Sequence, residues 1–222
     1  MTWAFPLRQS GGEFTTKAGI RHATTTGSGL GLATLVATLS TGCLFDFLQT
    51  ARTAGGGNLA FTIGAGILML QGDGTTTNLS ATPQARLTLG LADAVDLGLQ
   101  TGALIPFSSG DPGWLGAIGD LKFRLFDEPD AFALALGFGG CYSVEYGGWG
   151  LFGEVFFDSN LRVLPIYFVY QPGIPLVADS FTVFHHLAGG LKLQLSDHAR
   201  ILLQADYRTG ILSCGLAFEI GF

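Results

Sequence analysis

GLAFEIGF, residues 215–222, places Leu216, Phe218, Ile220 and Phe222 on every second position. A repeat of two is that of a β-strand, so these four side chains share one face. Terminal segments usually fray into polar tails. An apolar stripe running to Phe222 instead predicts a strand paired to its last residue, with its greasy face against apolar surroundings.

The composition is consistent with that reading. Charged residues make up 13% of the 222 residues, about half the share of an average soluble domain. Mean hydropathy is +0.42, with 34 glycines and 18 phenylalanines. After residue 43 no run of 18 or more apolar residues predicts a membrane-crossing helix. The other structure that satisfies every backbone polar group within lipid is a closed β-barrel. The net charge is −6, and it becomes more negative without residues 1–42, which carry Arg8, Lys17, Arg21 and Glu13. Without a basic patch, nucleic acid is not an expected partner. Three cysteines, Cys43, Cys141 and Cys214, make neither a disulfide framework nor a zinc site. No cofactor or metal is expected.

Residues 27–43, GSGLGLATLVATLSTGC, are uncharged and follow Lys17 and Arg21. A basic region before an apolar one of this length is the pattern of an export signal. Residues 1–42 are therefore read as a signal peptide, 43–57 as a linker ending in a glycine cluster, and 58–222 as the folded domain.

Ten segments read as strands: 59–70, 83–92, 95–106, 114–126, 131–141, 150–157, 161–170, 181–195, 199–207 and 211–222. Eight or twelve strands remain open, because 161–170 is apolar on both faces and contains Pro165. Elsewhere the faces separate. Leu87, Leu89 and Leu91 oppose Arg86, Thr88 and Gly90. Leu115, Ala117, Leu121, Phe123 and Leu125 oppose Asp120, Lys122 and Arg124. Phe132, Leu134, Leu136 and Phe138 oppose Ala131, Ala133, Ala135, Gly137 and Gly139.

A soluble sandwich turns its apolar face inward. A membrane barrel turns it outward. Much of the second face here is Ala and Gly, which suits a crowded, narrow interior. Its charges carry both signs: Asp96, Asp120, Glu154, Asp206 and Glu219 against Arg86, Lys122, Arg124, Lys192 and Arg200. These ten are the expected lumen charges, since buried charges require partners. Connections also alternate, short at 93–94, 127–130, 158–160 and 196–198, longer at 71–82, 107–113, 142–149 and 171–180, with 208–210 the one short connection on the longer side. Outer-membrane barrels have short periplasmic turns and longer outer loops, and an even strand count puts both chain ends in the periplasm.

The last eight residues, with Leu216, Phe218, Ile220 and Phe222 alternating, resemble the assembly signal of bacterial outer-membrane β-barrel proteins. Leu39-Ser40-Thr41-Gly42-Cys43 resembles the lipobox of bacterial lipoproteins, although Ser40 stands where leucine usually does. The two resemblances imply an up-and-down antiparallel transmembrane barrel, a cleaved signal, and Cys43 as an acylated first residue. They also imply outer-membrane lipids and the barrel assembly machinery as partners.

Candidate chemistry is sparse. His185 and His186, near Asp179 and Ser180, suggest a lipid-cleaving Ser–His–acid group, but no motif fixes its geometry, and an interfacial histidine pair is more often amphipathic at the headgroup level; a metal held by the pair is disfavoured because adjacent strand residues point to opposite faces. An enzyme is therefore not the expected reading. Trp114, Tyr142, Tyr146, Trp149 and Tyr170 read as an interfacial aromatic girdle. Cys141 and Cys214 have opposite parity, which disfavours a bond between them. The expected role is structural or a narrow passage. The rivals are a small-solute channel or binding barrel, a lipid-modifying enzyme, and a secreted soluble β-sandwich lipoprotein.

Overall fold

Strict alternation over this many residues leaves each strand one apolar and one small or polar face, and sheet closure is what lets both persist. The computed structural model describes residues 49–71, 77–108, 111–128, 131–143, 148–159, 161, 165–176, 183–208 and 211–222. Cys43, Tyr146, Asp179, Ser180 and the expected signal peptide lie outside them. The strands are β1 (Leu59–Gln71), β2 (Thr77–Ala92), β3 (Val95–Pro106), β4 (Gly113–Asp127), β5 (Phe132–Ser143), β6 (Gly148–Ser159), β7 (Ile166–Pro175), β8 (Phe184–Ser196), β9 (Ala199–Arg208) and β10 (Ile211–Gly221). Each pairs antiparallel with its sequence neighbours, and β10 pairs with β1. The result is a closed up-and-down barrel of ten strands, which excludes the two-sheet sandwich.

Closure runs to the final residue. The Phe222 N–H donates to the Leu59 carbonyl at 2.7 Å, and the Leu59 N–H donates to the Phe222 carbonyl at 3.0 Å. Glu219 faces the barrel interior opposite Thr62, while Leu216, Phe218 and Phe222 face out, Phe222 being 72% exposed. Closure leaves no unpaired edge to be satisfied by water.

The exterior is apolar from strand to strand. Leu87, Leu99, Leu136, Phe138, Phe168, Leu191 and Leu203 are all exposed, and Ala133, Ala135, Glu154, Lys192 and Gln204 on the alternate positions are buried. The shortest strands have 10 residues and the longest has 16. That is enough to cross a hydrocarbon core, which takes about 9–11 tilted residues. Small residues on the inner face create room. A Cβ on Gly98 would lie 1.8 Å from Arg86 Nη2, and one on Gly137 would lie 2.5 Å from Glu154 Oε2.

Three expectations are corrected. Leu115 faces the interior and is buried, not exposed with Leu121 and Phe123. The β3–β4 register shifts between Gly102 and Ala103, so Leu115 is the extra residue of a bulge and the parity of β4 inverts there. Gly116, with φ +134°, permits the bulge, and a Cβ there would sit 1.8 Å from the Tyr142 carbonyl oxygen. Second, the seventh strand lies later than 161–170, with Pro165 before it rather than within it. Its ladder to β6 is interrupted at Gln171 and Pro172, where proline has no N–H to offer. Third, the contrast in connection length shrinks. β2 begins at Thr77 and β7 runs to Pro175, so 72–76, 107–112, 144–147, 176–183 and 209–210 face 93–94, 128–131, 160–165 and 197–198. Several segments read as long outer loops are strand.

Candidate functional site in the lumen

The lumen is where this sequence concentrates its polar side chains, and a length of chain outside the barrel wall completes it. Residues 49–58 enter at the rim where β1 starts and run up the interior. The Gly56 N–H donates to Asp93 Oδ1 at 3.3 Å, and the Gly57 N–H to the Gly90 carbonyl at 2.8 Å. Gly55 and Gly57 have φ of +84° and +80°, which turns the segment out of the lumen and into β1. Gly90 must be glycine for the fit: a Cβ there would lie 1.8 Å from the Gly55 carbonyl oxygen.

Higher up, the wall holds the strap by its backbone. The Ala54 N–H donates to both oxygens of Asp96, at 3.0 and 3.1 Å. Lys122 Nζ donates to the Thr50 carbonyl at 3.0 Å and the Arg52 carbonyl at 2.7 Å, and lies 3.2 Å from Asp96 Oδ2. One ion pair on β3 and β4 therefore satisfies one strap donor and two strap acceptors. Gln49 reaches deepest: its Oε1 accepts from Arg86 Nη2 at 2.8 Å, and its Nε2 donates to Glu154 Oε1 at 3.4 Å. Gln49, Thr50 and Ala51 are buried. An extended strap cannot satisfy its own backbone, so without these partners it would be driven out toward water.

The expected lumen charges sort into pairs. Arg86 and Asp120 form a bidentate bond, both distances 2.7 Å, with each side chain about 1% exposed or less. Such fork-to-fork geometry is the strongest arrangement of this pair. Lys122 pairs with Asp96, and Arg200 Nη2 lies 2.6 Å from Glu219 Oε1. Glu154 accepts from Gln49 and Gln171. Lys192 pairs with Asp158 at 2.9 Å, an acid beyond the expected strand end at residue 157. Asp206 accepts from Gln204 at 2.8 Å and lies 3.1 Å from His186 Nε2. Arg124 is different: it stands half-buried near the terminal rim and pairs with Asp127 three residues on.

Sequence reasoning missed Gln49, Asp158, Gln171 and Arg208, whereas Gln204 was expected on the polar face of the ninth strand with Arg200 and Asp206. Parity carries the signal for the strand residues. None exists for Gln49, which sits in a segment with the composition of a linker. The two histidines divide as strand geometry requires. His186 is inside and buried, with Arg208 Nε donating to its Nε2 at 3.2 Å. His185 is outside, its ring stacked on Tyr170 at 6.0 Å and its Nδ1 2.7 Å from the Tyr170 hydroxyl. Trp114, Tyr142 and Trp149 form an aromatic chain, with centroids 6.2 and 5.1 Å apart.

Two apolar layers flank the polar network. Toward the far rim, Leu68, Leu115, Ile118, Cys141, Phe152, Phe184 and Ile211 pack together. Ala51 of the strap packs with Ala133, Ala135, Phe156, Tyr167, Val169, Ala188, Leu202 and Ala217. A cavity of about 360 Å³ opens at the terminal rim between the strap, Lys122, Arg200 and Glu219. Cys141 is disulfide-bonded and faces the interior, whereas Cys214 is free and exposed. Among the described residues no group of His, Cys, Asp and Glu is placed to hold a metal ion.

No protein-family model and no curated protein sequence matches the chain. Solved structures of similar architecture include the N-terminal β-barrel domain of Pseudomonas aeruginosa OprF, at 12% identity and a TM-score of 0.36. It covers 76% of this chain and 99% of that one. A de novo designed transmembrane β-barrel matches at 10% identity and 0.36, covering 75% and 97%. The KdgM porin matches at 8% identity and 0.36, covering 74% and 99%.

Proposed function

We propose that this protein is an integral β-barrel of the bacterial outer membrane, closed from within by its own residues 49–58, with a structural rather than a transporting role. The carrying observation is the strap: its backbone polar groups and the lumen ion pairs satisfy one another across the interior beside Arg86, Lys122 and Glu154. Barrels of about eight strands are narrow enough for side chains to fill, whereas open channels belong to about 16 strands. Ten strands plus a strap fall at the filled end. Membrane residence is supported by the apolar exterior, whose continuous extent exceeds what soluble monomers expose. Outer-membrane lipids are the partner of that surface, and the barrel assembly machinery the partner of the segment ending at Phe222. The even strand count sets the start of β1 and the end of β10 at one rim, which we assign to the periplasm.

His186 gives little support to a lipid-cleaving site. It is 1% exposed and engaged by Asp206, Gln171 and Arg208, away from the exterior on which acyl chains would lie. In planar bilayers the purified full chain is expected to give no single-channel steps. Steady ohmic current would overturn the closed-lumen reading in favour of a small-solute channel.

A further inference from the structure

We propose that the cavity at the terminal rim binds a small zwitterion, a molecule carrying an oxyanion and an ammonium group, with Arg200 taking the first and Asp197 the second. At about 360 Å³ the cavity falls at the lower end of ligand pockets, which run from about 300 to 1,000 Å³. The strap leaves this space because it leans the other way. Its anchors are Gly90, Asp93, Asp96 and Lys122, on β2, β3, β4 and the β2–β3 turn, whereas the cavity runs along β9, β10 and β1. Small inward residues at that level keep it open. Ala60 pairs with Gly221 on one side and Thr88 on the other. A Cβ on Gly221 would come no nearer than 4.0 Å to the His198 and Leu59 carbonyl oxygens.

The charges decide the ligand. Arg52, Lys122 and Arg200 line the cavity together with Asp96, Asp197 and Glu219, so neither sign prevails. Lys122 Nζ is committed to the Thr50 and Arg52 carbonyls and to Asp96, which also holds the Ala54 N–H. Arg200 is different. A guanidinium carries several N–H donors. Nη2 lies 2.6 Å from Glu219 Oε1, but Nε has no acceptor among the described residues. The side chain is 14% exposed, and burial makes a donor without an acceptor costly. A carboxylate or phosphate in the cavity would accept from what Glu219 leaves, in the forked geometry that arginine favours. Asp197, exposed in the β8–β9 turn at the mouth, likewise has no partner among the described residues. A simple anion would be repelled by Asp197 and Glu219, and a simple cation by Arg200 and Arg52. A ligand with both charges meets neither barrier.

The mouth is already built. The Gly221 N–H donates to the His198 carbonyl at 2.8 Å, which ties the β8–β9 turn to β10. On the strap side Asn58 Nδ2 donates to the Ala54 carbonyl at 2.9 Å, and Thr53 Oγ1 to the Asp93 carbonyl at 2.7 Å. A preformed site loses little affinity to its own ordering. Free peptides offer this pair of charges, and so does the phosphoethanolamine head of a lipid. The inference goes beyond the structural role proposed above, and it needs only the cavity, whichever compartment the rim faces.

The test is calorimetric titration of the purified full chain in nonionic detergent. The probes are glycylglycine and O-phosphoethanolamine, beside the single-charge controls N-acetylglycylglycine, glycylglycinamide and inorganic phosphate. The expected result is saturable binding of at least one zwitterion, about tenfold or more tighter than its controls. Tighter binding of glycylglycine assigns the site to free peptides, and tighter binding of O-phosphoethanolamine assigns it to lipid heads. Arg200→Gln should weaken binding about tenfold or more. Gly221→Leu, which fills the mouth without touching a charge, should abolish it. Asp197→Asn, in an exposed turn, should bring the zwitterion down to its anionic control. An unboiled gel band that migrates as the parent's does shows that each variant has folded. No saturable binding of either zwitterion, equal binding of zwitterions and controls, or binding untouched by the substitutions in folded protein would overturn the proposal.

Discussion

Leu136→Arg should destabilise the folded barrel in lipid by about 2–4 kcal/mol, measured by urea unfolding in vesicles. Leu136 lies in the middle of β5 and is 42% exposed, with Val155 beside it on β6 and Phe123 on β4. An arginine there would be held at the level of acyl chains, where neither water nor an acid can reach it without deforming the bilayer. The same substitution on a barrel surrounded by water would cost a few tenths of a kcal/mol, in the range of ordinary surface changes. The size of the loss therefore reports what lies outside the sheet.

Arg86→Met should be as damaging for the opposite reason. It removes the cation but leaves Asp120 buried and uncompensated, and it strands the Gln49 oxygen that holds the strap. Breaking a buried pair in this way costs about 3–5 kcal/mol. Arg86→Met combined with Asp120→Leu replaces the pair with apolar surface and should recover most of that loss. The double variant should still lack the Gln49 contact, so proteolysis near residue 50 should be faster than in the parent. A double variant no more stable than the single one would mean that the pair is not the source of the loss.

How much of this was legible in the sequence follows from what generates each feature. Strand number and the inner or outer face of Arg86, Asp120, Lys122, Leu136 and Leu203 follow from alternation, which a barrel wall must obey at every step. Leu115 escaped because a bulge adds one residue and inverts the count, and the only trace it leaves is Gly116, one glycine among many. β7 was misplaced because LRVLPIYFVY is apolar on both sides and supplies no parity, whereas the actual strand runs on through Pro172. The strap left no signature. A segment that fills a lumen pairs with side chains of the wall rather than with a neighbouring strand, so it needs no periodicity, and TARTAGGGN has the composition of a tether. What distinguishes it is the set of donors and acceptors awaiting it on β3 and β4, visible only when Asp96 and Lys122 are seen from inside the barrel. Glu154 was expected in the lumen, yet its partners Gln49 and Gln171 are neutral, so a search for opposite charges alone would not find them.

The central claim is that the apolar stripe faces hydrocarbon while the charges face the lumen. Nitroxide spin labels at positions 87, 136 and 203, placed one at a time on the full chain in lipid vesicles, test it most directly. The account predicts that collisions with dissolved oxygen dominate at all three and that a water-soluble nickel chelate is excluded. Labels at these positions that relax with the chelate and are shielded from oxygen would put water against Leu87, Leu136 and Leu203, and the membrane reading would fail.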